Sequence, residues 1–181
     1  AKHDTGNRRS RRLQGSAADD ATEFLAALAF VCHMHLKQRD FVLSSDSVQG
    51  KMREIWQDKS STLDDMSECL LRSTVGLLSR VGEDEYRFSH LTLQEYLAAR
   101  YTVGVHGNDA KQLMDKLKPL QSAVSKDGLW NKEVSRFVAG MLKEDVFVQF
   151  CKLILEGDDE TGSCCEIVQD FLNEREQSSQ T

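Results

Sequence analysis

Residues 86–101 read YRFSHLTLQEYLAARY and decide the fold, because an alternating strand there runs straight into an amphipathic helix. In the first half, Tyr86, Phe88 and His90 fall on one face, with the period of two that is typical of a half-buried strand. The alternation predicts that the strand reaches His90 and that the imidazole points inward.

The second half of this stretch has the pattern of a helix start. Thr92 is the predicted N-cap, and Glu95, three residues later, can reach back to complete a capping box. Apolar and aromatic side chains then recur at helical spacing: Leu93, Tyr96, Leu97 and Tyr101. The strand is therefore predicted to end where this helix begins.

The residues before this stretch predict three helices and a hairpin. Asp20 and Glu23 form a predicted capping box at the start of the first helix. Residues 82–84 are a glycine followed by two acidic residues, a composition typical of the turn between the two strands of a hairpin. The predicted elements are helices at about 20–37, 48–56 and 63–71, and strands at 77–81 and 86–90. Three helices followed by a two-stranded wing is the element order of a winged helix.

Beyond Val103 the apolar residues keep to helical spacing. Asn108 is the predicted cap of a helix that Pro119, the only proline of the sequence, ends. The core positions expected in the next three helices are Trp130, Val134, Phe137, Val138, Met141, Val146, Phe150, Cys151, Ile154, Ile167, Val168, Phe171 and Leu172. The predicted fold class is mainly α: a winged helix with a small two-stranded antiparallel wing, followed by an all-helical domain.

The chain divides into four predicted segments with different charge. These are a flexible basic lead-in at 1–19, a winged-helix domain at 20–104, a helical domain at 105–173 and a polar tail at 174–181. Residues 1–14 contribute +4 to a net charge of −6, which leaves −10 for the rest. An acidic body repels phosphate backbones, so the basic lead-in alone would carry any affinity for nucleic acid.

Cysteine usage and hydropathy predict a cytoplasmic protein without a membrane segment. The five cysteines are odd in number and lack Cys-x-x-Cys spacing, as expected of reduced thiols. Cys32, Cys69 and Cys151 stand among apolar helix positions and are expected in the core. No apolar run approaches the roughly 20 residues that span a bilayer.

No catalytic or metal-binding residue is predicted. A phosphate-binding loop needs Gly-x-x-x-x-Gly-Lys followed by Ser or Thr. The only Gly-Lys pair, Gly50 and Lys51, is followed by Met52 and has Ser45 at the position of the first glycine. Cys32, His33 and His35 could suggest a metal site, but neighbouring helix positions point in different directions and two helical ligands usually stand at i and i+4, so no metal site is expected there.

Residues 88–99 resemble the Phe-x-His-x-x-x-Gln-Glu-(aromatic)-Leu-Ala-Ala signature of the winged helix in NACHT-type signalling NTPases, the module of NLR receptors. The matching residues are Phe88, His90, Gln94, Glu95, Tyr96, Leu97, Ala98 and Ala99. Residues 130–142 also resemble the helical domain that follows this winged helix.

The resemblance implies a regulatory, non-catalytic part of a STAND NTPase that acts in innate-immune signal transduction. In that family the signature histidine contacts the β-phosphate of bound ADP and helps to hold the resting state. His90 is therefore the implied cofactor-binding residue, with ADP or ATP bound mainly by an NTPase lobe outside these residues. The implied partners are that lobe, in the same or a longer chain, and other proteins through oligomerisation.

Other interpretations of the same residues stay open at this stage. An inward histidine could bond a neighbouring carbonyl, although a helix N-terminus beside it favours an anion. Arg87 and Arg100 flank His90 in the sequence and are weaker candidates for contact with a ligand. Two other functions remain: a winged-helix DNA-binding module, despite the acidic third helix and wing tip, and a helical scaffold with no ligand.

Overall fold

The computed structural model describes residues 15–42, 44–55, 77–83, 85–117, 126–156 and 163–178. Within these ranges the helices are α1 (Gly15–Phe30), α2 (Asp46–Ile55), α3 (Leu91–His106), α4 (Ala110–Lys116), α5 (Lys126–Met141), α6 (Glu144–Glu156) and α7 (Ser163–Ser178). The strands are β1 (Asp40–Val42), β2 (Leu78–Arg80) and β3 (Glu85–Phe88). The predicted class, a mainly α winged helix followed by helices, is confirmed.

The sheet has three antiparallel strands in the order β1-β3-β2, not the two predicted for the wing. The predicted hairpin is confirmed, since β2 pairs with β3 and Leu78 lies opposite Phe88. Strand β1 adds to the other edge of β3, with Phe41 opposite Tyr86. Its three residues are too few for periodicity to reveal a strand, and Phe41 is buried against the Phe88 ring, with centroids 5.6 Å apart.

Helix α1 begins at Gly15, five residues before the predicted start at Asp20. The pair Ala17 and Ala18 favours a helix, so Asp20 and Glu23 lie inside it and the predicted capping box is wrong. The expected stripe of apolar residues is buried: Phe24, Leu25, Leu28, Val31 and Cys32. After Phe30 the helix continues as a π-helical turn, Val31–His35.

The second predicted helix is present as α2. Val48 and Met52 are buried, and the hydroxyl of Ser45 accepts the Val48 N–H at 3.4 Å, so Ser45 caps this helix. The third predicted helix at 63–71, Trp56 and Cys69 lie outside the described residues.

The helices after α3 bury most of the positions that the spacing indicates. Asp109, not Asn108, caps α4, because its carboxylate accepts the N–H groups of Lys111 at 2.9 Å and Gln112 at 3.2 Å. The buried predicted positions are Val134, Val138, Val146, Phe150, Cys151, Ile154, Ile167, Val168 and Phe171. Leu172 is exposed, and α7 runs on to Ser178. Pro119 and the side chain of Trp130 lie outside the described residues.

Helix α3 packs against α1 on one side and α5 on the other. Tyr101 packs against Phe30 of α1 in a tilted pair, with ring centroids 4.8 Å apart, while Tyr96 contacts Phe137 of α5 edge to face at 5.6 Å. The small side chains Ala98 and Ala99 are fully buried, which lets neighbouring helices approach closely. One helix therefore contributes to the cores of both predicted domains, whose boundary at 104 stays a prediction.

Candidate functional site

His90 lies at the junction of the sheet and α3, with its side chain exposed to solvent. The predicted inward orientation is wrong. Strand β3 ends at Phe88, and the last ladder contact is the Ser89 N–H, which donates to the Leu77 carbonyl at 2.9 Å. The chain leaves the sheet before His90, so the alternation of the strand no longer sets the direction of the imidazole.

The helix begins with His90 itself as N-cap, not with Thr92. The His90 carbonyl accepts the N–H groups of Leu93 at 3.2 Å and Gln94 at 3.3 Å, so Thr92 already lies in the first turn. The His90 side chain makes no capping hydrogen bond to this turn. The first N–H groups of a helix lack intrahelical partners and carry partial positive charge. An exposed imidazole at this point therefore stands beside a helix end that favours anions.

Arg39 brings a positively charged side chain to this junction. Its guanidinium is exposed, and Nη2 donates to the carbonyl of Ser89, the residue before His90, at 3.4 Å. The sequence pattern missed Arg39, because it is 50 residues from Ser89 in the chain. Only the pairing of β1 with β3 brings the two together. The local trace of β1 is a short apolar run at 41–43, which has too few residues to show the alternation of a strand.

Arg87, which the sequence placed beside His90, is bound to Asp40 across the β1–β3 pair. Nη2 of Arg87 lies 2.6 Å from one Asp40 oxygen, and Nε contacts the other. These hydrogen bonds hold the pKa of Asp40 below its ordinary value. Arg100 is exposed on α3, more than two turns past His90. Arg39 therefore has a stronger claim on an anion at this junction than either predicted arginine.

Glu95 does not complete a capping box but is 7% exposed, at the contact of α3 with α5. Burial, and then the negative charge of Glu133 on α5, raise the pKa of Glu95 above its ordinary value. Glu133 is itself paired with Arg136, both of its carboxylate oxygens lying 3.0 Å from Nη1. The α3–α5 contact thus holds an acidic side chain whose ionised form is disfavoured by burial and by the charge of Glu133.

We expect Glu95→Gln to raise the free energy of unfolding at pH 7. A carboxyl group whose pKa is raised in the folded state contributes its full stabilisation below its ordinary pKa of 4.5. This stabilisation is lost as the pH rises through the pKa of the folded state. The gain should therefore vanish below pH 4.5. Urea titrations at the two pH values measure it, with the exposed Glu156→Gln as control. An equal gain at both pH values would contradict the burial argument.

A groove of about 380 Å³ lies between α3, α5 and α7, away from His90. Tyr96, Phe137 and Phe171 give it an aromatic lining, and Arg136 and Glu174, which contact one another, give it charge. Each charged side chain of this lining has an ion-pair partner: Arg136 binds Glu133 and Glu174, and Arg175, which also lines the groove, binds Glu144. The described residues of the lining therefore present no unpaired charge that would select a ligand.

The residues considered for metal binding or nucleophilic chemistry do not come together. Cys32 and His33 are buried, whereas His35 is exposed. Burial raises the pKa of the Cys32 thiol to about 12, which keeps it neutral and unreactive. In the part of the chain that the structure describes, no three side chains of His, Cys, Asp or Glu form a metal-binding group. None of the helices within that part is long and apolar enough to cross a bilayer.

Comparison with known proteins gives one match. The family model described as the winged helix-turn-helix domain C-terminal to NACHT matches residues 2–102, which is more than half of the chain. This range includes the hairpin, His90 and most of α3. No match was found to a curated protein or to a solved structure.

Proposed function

Because this chain belongs to the family of winged helix-turn-helix domains C-terminal to NACHT, we propose that it is the regulatory part of a NACHT signalling ATPase. In this proposal the ATPase lobe precedes the domain in the full-length protein and holds ADP or ATP. The domain itself is a non-catalytic part of the module. It acts by binding the lobe and by contacting other protein copies when the module opens and assembles.

His90 contacts a phosphate of ADP and so favours the closed arrangement of lobe and winged helix. The observation that carries this proposal is the exposed imidazole at the N-terminus of α3, with the Arg39 guanidinium bonded to the adjacent residue. A helix N-terminus, a histidine and an arginine all favour a negatively charged ligand. Exchange of ADP for ATP would change the position of the terminal phosphate and so release the contact.

The strength of one such contact is sufficient for a switch. A hydrogen bond to a charged group contributes about 1.5–3 kcal/mol. Each 1.4 kcal/mol is a factor of ten in an equilibrium, so losing the contact shifts the closed population by roughly one to two orders of magnitude. A population change of this size is enough to convert a resting protein into an active one.

We therefore expect His90→Leu in the full-length protein to accelerate ADP dissociation by roughly 10- to 100-fold. Leucine cannot form the hydrogen bond that the imidazole makes in this proposal. Release of a fluorescent ADP analogue from the purified protein measures the effect. His90→Gln keeps an N–H donor with a different geometry, so its rate of ADP dissociation should fall between those of the parent and His90→Leu.

The matched control is His106→Leu, at the last residue of the same helix. It makes the same chemical change about 24 Å away along α3 and should leave ADP dissociation unaltered. If His90→Leu releases ADP at the parent rate, the histidine contact does not hold the closed state.

The described part of the wing gives no support to DNA binding. Glu83 and Glu85 are exposed at its tip, and Arg80 donates to the carbonyls of Gly82 and Glu83 within that turn. Reading DNA with a wing requires basic groups that reach the phosphates. A salt-dependent gel shift that survives removal of residues 1–14 would favour the DNA-binding alternative instead.

A further inference from the structure

Three consecutive residues of the chain are bonded to positions on both sides of His90. The Gln38 carbonyl accepts a hydrogen bond from Nε2 of Gln94 at 3.0 Å, four residues after the histidine. Arg39 donates to Ser89, and Asp40 is paired with Arg87. Residues 38–40 therefore form a segment that borders the junction where His90 stands.

Gln94 is the buried member of this arrangement. It is 0% exposed, its backbone N–H donates to the His90 carbonyl at 3.3 Å, and its side chain donates to Gln38. One residue thus connects the main chain of His90 to the segment that carries Arg39. Its other amide atom, Oε1, is buried and finds no hydrogen-bond partner among the described residues.

Burying a side-chain amide with one of its polar atoms unpaired lowers the free energy of unfolding. An unsatisfied buried acceptor costs about 1–3 kcal/mol, and an apolar side chain of the same size would avoid that cost. The donor end of Gln94 is the only end that forms a side-chain hydrogen bond within the described residues. We therefore attribute the presence of glutamine at this position to its hydrogen bond with the Gln38 carbonyl.

We propose that Gln94 is a positioning residue of the nucleotide switch. It holds residues 38–40 against the first turn of α3 and so fixes His90 and Arg39 relative to one another. This inference rests on the proposed function, in which His90 contacts the phosphate of ADP. Gln94 itself is buried and does not touch the nucleotide.

The first test is the rate of ADP release from the full-length protein carrying Gln94→Met. Methionine fills a similar volume but has no donor for the Gln38 carbonyl. We expect this variant to release ADP roughly 5- to 20-fold faster than the parent. The matched control is Thr102→Val, which removes another fully buried hydrogen bond of α3, that from Oγ1 to the Ala98 carbonyl. Thr102→Val should leave ADP release unchanged.

A double-mutant cycle distinguishes positioning from a general loss of stability. If Gln94 acts through His90, Gln94→Met in the background of His90→Leu changes ADP release by less than about twofold. Equal effects of Gln94→Met in the two backgrounds would overturn the proposal.

A second measurement does not depend on nucleotide. In the 181-residue chain we expect Gln94→Met to shift the imidazole NMR signals of His90 and to speed amide exchange near Arg39, while Thr102→Val does neither. An unmoved His90 signal would overturn the positioning role, even if His90→Leu releases ADP quickly. A shifted signal together with parent-like ADP release in His90→Leu would overturn the proposed function and leave the positioning of His90 intact.

Discussion

Replacing Phe88 with alanine is expected to lower the free energy of unfolding by about 3–5 kcal/mol. Phe88 is 0% exposed, on the central strand of the sheet, and its ring lies 5.6 Å from that of Phe41. Alanine would leave a cavity where β1 and β3 meet the helices, and the three-stranded sheet is too small to close over it. Urea denaturation followed by circular dichroism measures the change.

Two further variants test whether the cavity is the cause. Phe88→Leu keeps most of the volume and should cost less than half as much. Val81→Ala, at a residue of the same hairpin that is 44% exposed, should change stability by less than about 0.5 kcal/mol. A loss under 1 kcal/mol in Phe88→Ala would mean that Phe88 is not part of the core.

Replacing Arg175 with methionine is expected to cost about 2–4 kcal/mol of stability. Nη1 of Arg175, on α7, donates to the carbonyls of Ala139 at 3.0 Å and Leu142 at 2.9 Å, and Nη2 binds Glu144 at 2.8 Å. The guanidinium also lies 4.2 Å from the ring centre of Phe147. One side chain thus satisfies the carbonyls at the end of α5 and binds the first residue of α6, whereas methionine keeps only the aliphatic contacts.

Arg175→Lys separates charge from geometry. Lysine keeps a positive charge but lacks the planar fork that reaches two carbonyls and a carboxylate together. It should recover less than half of the stability lost in Arg175→Met, as measured by thermal unfolding. Full recovery would show that the charge over Phe147, and not the hydrogen bonding, holds the three helices together.

The periodicity of apolar residues was sufficient to predict most of the helices and their buried faces. Val134 and Val138 of α5, and Phe150 and Ile154 of α6, are buried as expected, because burial of one helical face follows directly from spacing. The caps were less predictable. Asn108 and Asp109 are both good cap residues, so the sequence could not show that Asp109 caps α4. Helix α3 begins with His90 as N-cap but without a side-chain cap, so the good cap residue Thr92 predicted the wrong start.

Of the residues at the candidate site, the sequence predicted His90 but neither Arg39 nor the contact of Gln94 with Gln38. His90 could be singled out by resemblance, but its exposure depends on where the β-ladder ends, which is set by the Ser89 contact to Leu77. Arg39 and the Gln94 contact to Gln38 span 50 and 56 residues of sequence. Local patterns carry no information on contacts of that range, and a strand of three residues is too short to reveal them.

Helix α3 carries His90 at one end and lies between α1 and α5 along its length. Its sixteen residues make it about 24 Å long, so a tilt of roughly 10° about its far end displaces the His90 backbone by about 4 Å. A displacement of that size breaks a hydrogen bond, since the donor and acceptor must stay within about 3.5 Å. Under the proposed function, a partner protein that binds α5 and tilts α3 would therefore change the lifetime of bound ADP without contacting the phosphates.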